Sequence, residues 1–182
     1  DTRIEPGCSL IGTSRVGTGS VVGPHTTMID AAIGADVHVP HSYLVECAVG
    51  DRCNVGPFAY LRPKAELAEG AKAGTFVEIK NSRIGAGTKV PHLSYIGDAD
   101  VGDGTNLGAA TITANYDGYV KNRTKIGRNV RTSVDTTLVA PVEVGEVAQA
   151  VVELAFVEQV GGAVQHHVVR IEREHARLAR GG

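Results

Sequence analysis

A six-residue repeat governs most of this 182-residue chain. Aliphatic residues recur at this spacing from Ile4 through Leu10, Val16 and Val22 to Val144, with occasional five-residue steps, and glycine very often follows them. The period fits neither an α-helix, which repeats about every 3.6 residues, nor a long alternating strand. It indicates short strands joined by tight corners. The aliphatic residue and the small residue four positions later face inward, and Gly and Asn take the turn conformations.

Three such units would make one triangular coil of about 18 residues, and coils would stack at the spacing of β-strands, about 4.8 Å. The sequence therefore predicts an all-β protein, a parallel β-helix of hexapeptide repeats over residues 1–160. The repeat breaks at 113–125, which we interpret as an inserted loop, and it is ragged over 40–48. Residues 161–182 space their apolar side chains along one helical face and are predicted to form a short C-terminal helix.

Composition argues against several functional classes. The net charge of −2, with scattered Lys and Arg, indicates neither a nucleic acid nor an anionic membrane as a partner. The sequence shows no long apolar segment and no charged-then-apolar leader, so we expect neither a membrane span nor a signal peptide. Cys8, Cys47 and Cys53 lack CxxC spacing, and we interpret them as reduced thiols. Cys8 and Cys53 fall at small inward positions of the repeat.

The repeat register brings several polar residues together. Lys80 lies 18 residues after Arg62, so it should stack one coil away, both just after the same corner. Two cations one strand apart repel, and they gain only when an anion such as phosphate lies between them. Glu78 and Tyr95 occupy equivalent positions in successive coils just before that corner, and His92 lies three residues before Tyr95. We expect these five residues to converge on one edge of the prism.

Asn106 falls just before a different corner. A neighbouring subunit in a three-fold oligomer would bring it to the same ligand, and a flat-sided prism favours such cyclic packing. Simpler interpretations remain open: Arg62 and Lys80 would form salt bridges at an interface, and Glu78 would pair only with Lys80. The other histidines are interpreted as solvated surface residues; they are His25, His38, His41, His166, His167 and His175.

Three segments stand out, and the first two carry between them LRP, FVEIK, PHLSYIGD and NYDG, a combination seldom found in one hexapeptide protein. The segments are GPFAYLRPKAEL (56–67), GTFVEIKNSRIGAGTKVPHLSYIGDADVGDGTNLGAATITANYDG (74–118) and DTTLVAPVEVG (135–145). They closely resemble the C-terminal domain of the bacterial bifunctional N-acetylglucosamine-1-phosphate uridyltransferase/glucosamine-1-phosphate N-acetyltransferase family. The resemblance is specific over about 49–145, and weaker but in register over 1–48.

The resemblance implies a left-handed β-helix, although parallel crossovers are usually right-handed. It implies an acetyltransferase half without the uridyltransferase domain, acting in the cytoplasm as a homotrimer with active sites between subunits. The enzyme would transfer acetyl from acetyl-CoA to the 2-amino group of glucosamine 1-phosphate. The product, N-acetylglucosamine 1-phosphate, would feed synthesis of UDP-N-acetylglucosamine and of peptidoglycan and other cell-envelope precursors.

Residue roles follow from the same resemblance. His92 would be the general base, a task that suits an imidazole. Glu78 would orient that imidazole, and Arg62 and Lys80 would hold the sugar phosphate. The rest of the sugar site would comprise Tyr95, Asn106 and Lys121, and the acetyl-CoA site would comprise Asn115, Tyr116, Ser133, Val152 and Arg170.

The chain departs from the family at the acetyl-CoA site. Where the family reads GSDT, this chain reads Ser133-Val134-Asp135-Thr136, so Val134 replaces the Ser that helps to hold the thioester. Ser133 lies one position early, on the other side of the strand. Val152 and Glu153 stand where the family has small residues beside CoA, and Arg170 lies within about a residue of an Arg that meets the CoA phosphates.

Two rival functions remain. The altered acetyl-CoA segment allows an acetylation-impaired homologue, a trimeric scaffold that binds sugar phosphate. A hexapeptide metalloenzyme of the γ-carbonic-anhydrase kind needs three His ligands around zinc. The positions stacked on His92 are Thr75 and Ala109, so we expect no metal.

Overall fold

The computed structural model describes residues 1–146 and the strand Gln149–Ala150, and within these residues every regular element is a short β-strand. The strands, in chain order, are β1 (Arg3–Ile4), β2 (Ser9–Ile11), β3 (Arg15–Val16), β4 (Val21–Val22), β5 (Thr27–Ile29), β6 (Ala32–Ile33), β7 (His38–Val39), β8 (Tyr43–Val45), β9 (Ala48–Val49), β10 (Asn54–Val55), β11 (Tyr60–Leu61), β12 (Glu66–Leu67), β13 (Lys72–Thr75), β14 (Glu78–Lys80), β15 (Arg83–Ile84), β16 (Lys89–His92), β17 (Tyr95–Gly97), β18 (Ala99–Val101), β19 (Ile112–Ala114), β20 (Thr124–Ile126), β21 (Arg131–Thr132), β22 (Thr137–Val139), β23 (Val142–Val144) and β24 (Gln149–Ala150). None of the described segments is a helix that could cross a membrane.

The strands form three parallel faces that the chain visits in turn. Face A comprises β1, β4, β7, β10, β13, β16, β21 and β24; face B comprises β2, β5, β8, β11, β14, β17, β19 and β22; face C comprises β3, β6, β9, β12, β15, β18, β20 and β23. Between β16 and β21, face A continues through Asn106, which bridges Lys89 and Arg131. This architecture confirms the predicted left-handed parallel β-helix. The predicted C-terminal helix at 161–182 lies outside the described residues.

Ladders of inward-pointing aliphatic side chains form the core. On face B, Leu61 pairs with Ile79 and Ile79 pairs with Ile96, and all three side chains are fully buried. Burial of such a side chain contributes about 1.5–3 kcal/mol, so the stacked ladder accounts for the strict spacing in the sequence.

The ragged segment at 40–48 follows the repeat after all. Leu44 is fully buried and forms the missing inward position between Val39 and Val49, which makes two consecutive five-residue steps. A five-residue unit also moves its small inward residue one place earlier, so Ser82, and not Arg83 as the six-residue count gave, faces the core. Ala31 and Ala99 are buried in the same way, one place before the fourth positions, Ala32 and Asp100.

The third cysteine is explained by the same shift. Cys47 is buried two residues before Val49, the position that Ser82 occupies before Ile84. Burial raises the pKa of the Cys47 thiol to about 12, so the group stays protonated. Cys8, Cys47 and Cys53 are all free thiols.

The glycines that follow the aliphatic residues are needed mainly for close stacking. A Cβ atom on Gly17 would lie 2.3 Å from the carbonyl carbon of Gly34 in the next coil, and Gly17 does not have a positive φ. Many corners instead place non-glycine residues in the left-handed conformation, including Phe58, Phe76 and Asn81. The prediction that Gly and Asn take the turns is therefore too narrow.

Candidate active site

Arg62 and Glu78 form an ion pair on face B. Leu61 pairs with Ile79 across β11 and β14, so Arg62 stacks on Lys80 as the register predicted. Glu78 and Lys80 lie on one strand, β14, and both point away from the core. The predicted corner between Glu78 and Lys80 is therefore wrong, because the corner comes after Lys80. The Arg62 Nη1 atom donates a 2.7 Å hydrogen bond to Glu78 Oε1, which raises the pKa of Arg62. The buried Arg62 Nε has no hydrogen-bond partner among the described residues.

The inserted loop brings a third cation to this place. Lys121 contacts Lys80, and this contact, followed by partial burial, lowers the pKa of Lys80; the charge of Arg62 acts in the same direction. In residues 1–146 neither lysine forms an ion pair with a carboxylate. Against these three cations stand two carboxylates, Glu78 and the nearby buried Asp98, so one net positive charge remains, which suits a bound anion such as phosphate.

The loop runs from Asn115 to Arg123, between β19 and β20, and is narrower than the predicted 113–125. Thr113 stays in the core, because its hydroxyl accepts a 2.7 Å hydrogen bond from the Gly97 backbone amide. At the other end, the Arg123 guanidinium donates to both Asp100 oxygens, at 2.8 and 3.1 Å. The loop is therefore anchored at both ends.

Within the loop, the Asp117 carboxylate accepts hydrogen bonds from the backbone amides of Tyr119 and Val120, at 2.9 and 2.8 Å. The Tyr116 hydroxyl donates to the Gly118 carbonyl at 2.6 Å. Tyr119 is nevertheless 93% exposed. The loop thus has an ordered base and presents an aromatic side chain at its tip.

Asp98 is a buried carboxylate that the sequence reasoning missed. It is only 5% exposed, and it accepts hydrogen bonds from the side-chain amides of Asn81 and Asn115. Burial raises the pKa of Asp98, but these hydrogen bonds and the charges of Lys80 and Lys121 outweigh it, so the pKa lies below its ordinary value. Asn81, Asp98 and Asn115 are 17 residues apart in the sequence, close to the length of one coil, so this spacing could have predicted the cluster.

We expect Asp98→Asn to destabilise the protein by about 1.5–3 kcal/mol, because the new amide places an NH2 donor opposite one of the two donor amides and a charge-assisted hydrogen bond is lost. Since the folded-state pKa lies below the ordinary 3.8, the wild-type advantage is present above that pH and disappears as the pH falls through the folded-state pKa. Urea unfolding of both proteins at several pH values measures this difference. An equal difference at acidic and neutral pH would contradict the assignment.

His92 lies at the end of β16, opposite Thr75, as the register predicted. Its backbone carbonyl accepts a 2.7 Å hydrogen bond from Ser94 Oγ, and its side chain is exposed. Within residues 1–146 the imidazole has no hydrogen-bond partner, and the Glu78 carboxylate contacts Arg62 instead of His92. The imidazole is therefore free to accept a proton from a ligand, and the orienting role of Glu78 remains a prediction.

Tyr95 stacks between Glu78 and Ile112 on face B, and its ring lies across Gly97. A Cβ atom on Gly97 would lie 2.3 Å from the Tyr95 hydroxyl, so this glycine makes room for the ring. Asn106 is half-buried on face A, the face that ends at His92, but at the level of Lys89. The structure thus groups Arg62, Lys80 and Lys121 closely and leaves Asn106 apart.

The predicted acetyl-CoA residues divide into three groups. Asn115 is buried against Asp98, and Tyr116 is exposed on the loop. Ser133 is half-buried, with its carbonyl accepting a 2.9 Å hydrogen bond from Thr136 Oγ1, and the neighbouring Val134 is 57% exposed. Val152 and Arg170 lie outside the described residues. In the described part of the chain, no three His, Cys, Asp or Glu side chains are grouped as a metal site.

Comparison with known proteins identifies the relatives of this chain. No protein-family model matches it. The bifunctional protein GlmU of Bifidobacterium animalis subsp. lactis is 51% identical over 146 residues, which cover 80% of this chain and 32% of that protein. The GlmU of Bifidobacterium longum is 53% identical over 146 residues, with the same coverage. The chain therefore spans about a third of the length of these curated relatives.

Among solved structures, the UDP-N-acetylglucosamine acyltransferase from Campylobacter jejuni has a TM-score of 0.51 at 14% identity, covering 81% of this chain and 70% of that one. At this identity the likeness supports the fold alone. The GlmU matches, by contrast, confirm the family resemblance carried by the sequence motifs. With about half of its residues identical over 80% of its length, the chain is a homologue of one part of the bifunctional GlmU proteins.

Proposed function

We propose that this chain is a glucosamine-1-phosphate N-acetyltransferase that uses acetyl-CoA as the acetyl donor. The observation that carries the proposal is the cluster of Arg62 and Lys80, on the same face as Tyr95, with Lys121 of the loop. The His92 imidazole, which has no hydrogen-bond partner within residues 1–146, lies just before the preceding corner. A sugar phosphate supplies the anion that the three cations require. The similarity to one part of the GlmU proteins supports the same reaction.

In the proposed mechanism, the 2-amino nitrogen of the sugar attacks the carbonyl carbon of the acetyl thioester. A C–N bond forms, the C–S bond breaks, and the CoA thiolate leaves and takes up the proton that the nitrogen loses. His92 removes a proton from the nitrogen during the attack, which typically contributes about 10²–10⁴-fold to the rate. The fixed cations hold the phosphate, so that the amino group meets the donor in one orientation.

We further propose a cytoplasmic homotrimer with active sites between subunits. Asn106 lies on face A apart from the face B cluster, and a neighbouring subunit would bring it to the ligand. The exposed loop tip at Tyr119 also favours a protein neighbour, because a large aromatic side chain gains by burial.

A second function, a trimeric scaffold that binds sugar phosphate without acetylating it, is favoured by one observation. Val134 presents an apolar side chain at 57% exposure where the family has a Ser that holds the thioester. This difference touches the donor site and leaves the cation cluster intact.

The proposal is tested by incubating the protein with acetyl-CoA and glucosamine 1-phosphate and detecting free thiol and the acetylated sugar. We expect thiol release that depends on both substrates. Calorimetric binding of glucosamine 1-phosphate without thiol release would favour the scaffold. Neither binding nor release would overturn both functions.

A further inference from the structure

Asp98 is a buried carboxylate for which the proposed mechanism has no role. It lies at the corner after β17 and is only 5% exposed. Its backbone amide donates a 3.0 Å hydrogen bond to the Lys80 carbonyl, so Asp98 is fixed to the strand that carries one cation of the candidate site. Burial of a charged group is costly unless hydrogen bonds and opposite charges compensate it. A carboxylate kept at this cost beside the cations indicates a part in the site.

Asp98 also connects the two ends of the inserted loop. At the start of the loop, the Asn115 side-chain amide donates a hydrogen bond to one oxygen of the Asp98 carboxylate, and the Asn81 amide donates to the other oxygen. Immediately after the end of the loop, the Thr124 backbone amide donates a 3.1 Å hydrogen bond to the Asp98 carbonyl. One residue therefore holds the chain on both sides of the loop.

Lys121 lies close to the base of this loop. It pairs with Tyr116 in an antiparallel bridge. In the adjacent pair, the Asn122 backbone amide donates a 2.8 Å hydrogen bond to the Asn115 carbonyl. Lys121 is thus one backbone pair away from Asn115, whose side chain is bound to Asp98. The position of Lys121 therefore depends on the hydrogen bond between Asp98 and Asn115.

The charge of Asp98 opposes the repulsion between two lysines. Lys80 and Lys121 contact each other, and ammonium groups at such a distance repel. The contact with Lys121 lowers the pKa of Lys80, whereas the charge of Asp98 raises it. Glu78, in contrast, is bound to Arg62. Asp98 thus supplies a negative charge that helps to keep the two ammonium groups together before an anion binds.

We propose that Asp98 is a positioning residue for the acceptor: it holds Lys121 beside Lys80, so that both ammonium groups bind the phosphate of the sugar. The inference rests on the proposed function, in which the acceptor is a sugar phosphate. Asp98 is too deeply buried to touch this ligand, and it acts through Asn115 and the loop. Binding groups are effective only when the residues that support them hold them in place. Because the two like charges are already together in the folded protein, phosphate binding need not bring them together.

The test compares glucosamine 1-phosphate with glucosamine as acceptors for the Asp98→Asn variant, both at saturating acetyl-CoA. We expect kcat/KM for glucosamine 1-phosphate to fall about tenfold further than kcat/KM for glucosamine, because a displaced Lys121 loses about one charge-assisted hydrogen bond to the phosphate. A purely structural role of Asp98 would lower both values equally. An unchanged ratio between the two acceptors would therefore overturn the inference.

A second variant, Asn81→Asp/Asp98→Asn, keeps both hydrogen bonds. The new amide at position 98 can donate to the carboxylate at position 81 and accept from Asn115. We expect the acceptor ratio to return to within about threefold of wild type. If this variant regained wild-type stability and kept the lowered ratio, Asp98 would not act by holding the loop, and the inference would be wrong.

The matched control for lost stability is Thr26→Val, in a coil remote from the site. Thr26 is fully buried, and its hydroxyl donates a 2.6 Å hydrogen bond to the Val39 carbonyl. Its loss leaves this buried carbonyl without that donor, so the variant should be less stable than wild type. We expect its acceptor ratio to equal that of wild type. A lowered ratio in this control would mean that the ratio reports stability, which would remove the support for Asp98.

Amide hydrogen exchange keeps the inference separate from the proposed function. In Asp98→Asn, the Asn122 amide at the base of the loop should exchange at least about tenfold faster than in wild type, because the loop opens more often. The exchange should recover in the double variant and remain unchanged in Thr26→Val. If wild type shows no acetyl transfer, the proposed function fails, and exchange still decides whether Asp98 positions the loop. Unchanged exchange at the Asn122 amide refutes it.

Discussion

Replacing His92 by alanine should lower kcat for acetyl transfer by about 10²–10⁴-fold, the usual loss when a general base is removed. The reason is structural as well as chemical. The imidazole is exposed and, among the described residues, makes no hydrogen bond, so it has no role in holding the coils together. The measurement is the rate of thiol release at saturating acetyl-CoA and glucosamine 1-phosphate, together with thermal unfolding, which should be unchanged.

His38→Ala provides the matched control. His38 also projects from face A, but it lies on β7, three strands away from the β16 strand that carries His92. We expect its loss to change kcat less than twofold, since surface substitutions away from a site rarely matter. Near-normal turnover by the His92→Ala enzyme would show that another group accepts the proton.

Most of the fold could be predicted from sequence because the β-helix repeats one physical rule. Each inward position stacks on its equivalent one coil away, so the spacing of Leu61, Ile79 and Ile96 already states which residues touch. The wrong assignments of inward residues fall where the repeat unit has five residues instead of six, because its corner is shorter. Leu44 and Ser82 could not be assigned by counting in sixes, since the small residue moves with the length of the unit.

The candidate site was likewise predictable where its residues occupy repeat positions, and not where they lie on the inserted loop. Stacking of Arg62 on Lys80, and of Glu78 on Tyr95, follows from the register and needed no other information. The contact between Lys80 and Lys121 depends on how a non-repeating loop folds back, which no spacing encodes. Asp98 is an intermediate case, because it occupies a repeat position but its role was not predicted.

Asp98 lies at a corner in the left-handed conformation, a position where the repeat accepts many residue types, so the sequence pattern did not indicate its role. Its two amide partners, however, lie at the equivalent corners one coil before and one coil after. A buried carboxylate needs hydrogen-bond partners to remain charged, so polar residues stacked at the repeat spacing indicate a hydrogen-bonded cluster. The loop carrying Lys121 is fixed through this cluster by way of Asn115.

The second large effect should come from removing both stacked cations. We expect Arg62→Met/Lys80→Met to raise KM for glucosamine 1-phosphate by about 100-fold or more, because each charge-assisted hydrogen bond to the phosphate is worth about 1.5–3 kcal/mol. Methionine keeps the apolar length of both side chains and removes the charge. KM for acetyl-CoA should change little, since neither Arg62 nor Lys80 is among the predicted acetyl-CoA residues.

Glucosamine without its phosphate separates charge recognition from damage to the site. With this acceptor, wild type and the double variant should acetylate at similar, low efficiency, because the cations then have no anion to bind. A matched control is Arg83→Met, which removes a cation from face C, where acidic residues lie on both neighbouring strands. If the double variant lost equal efficiency towards both acceptors, Arg62 and Lys80 would be structural, and the cation cluster would not be the phosphate site.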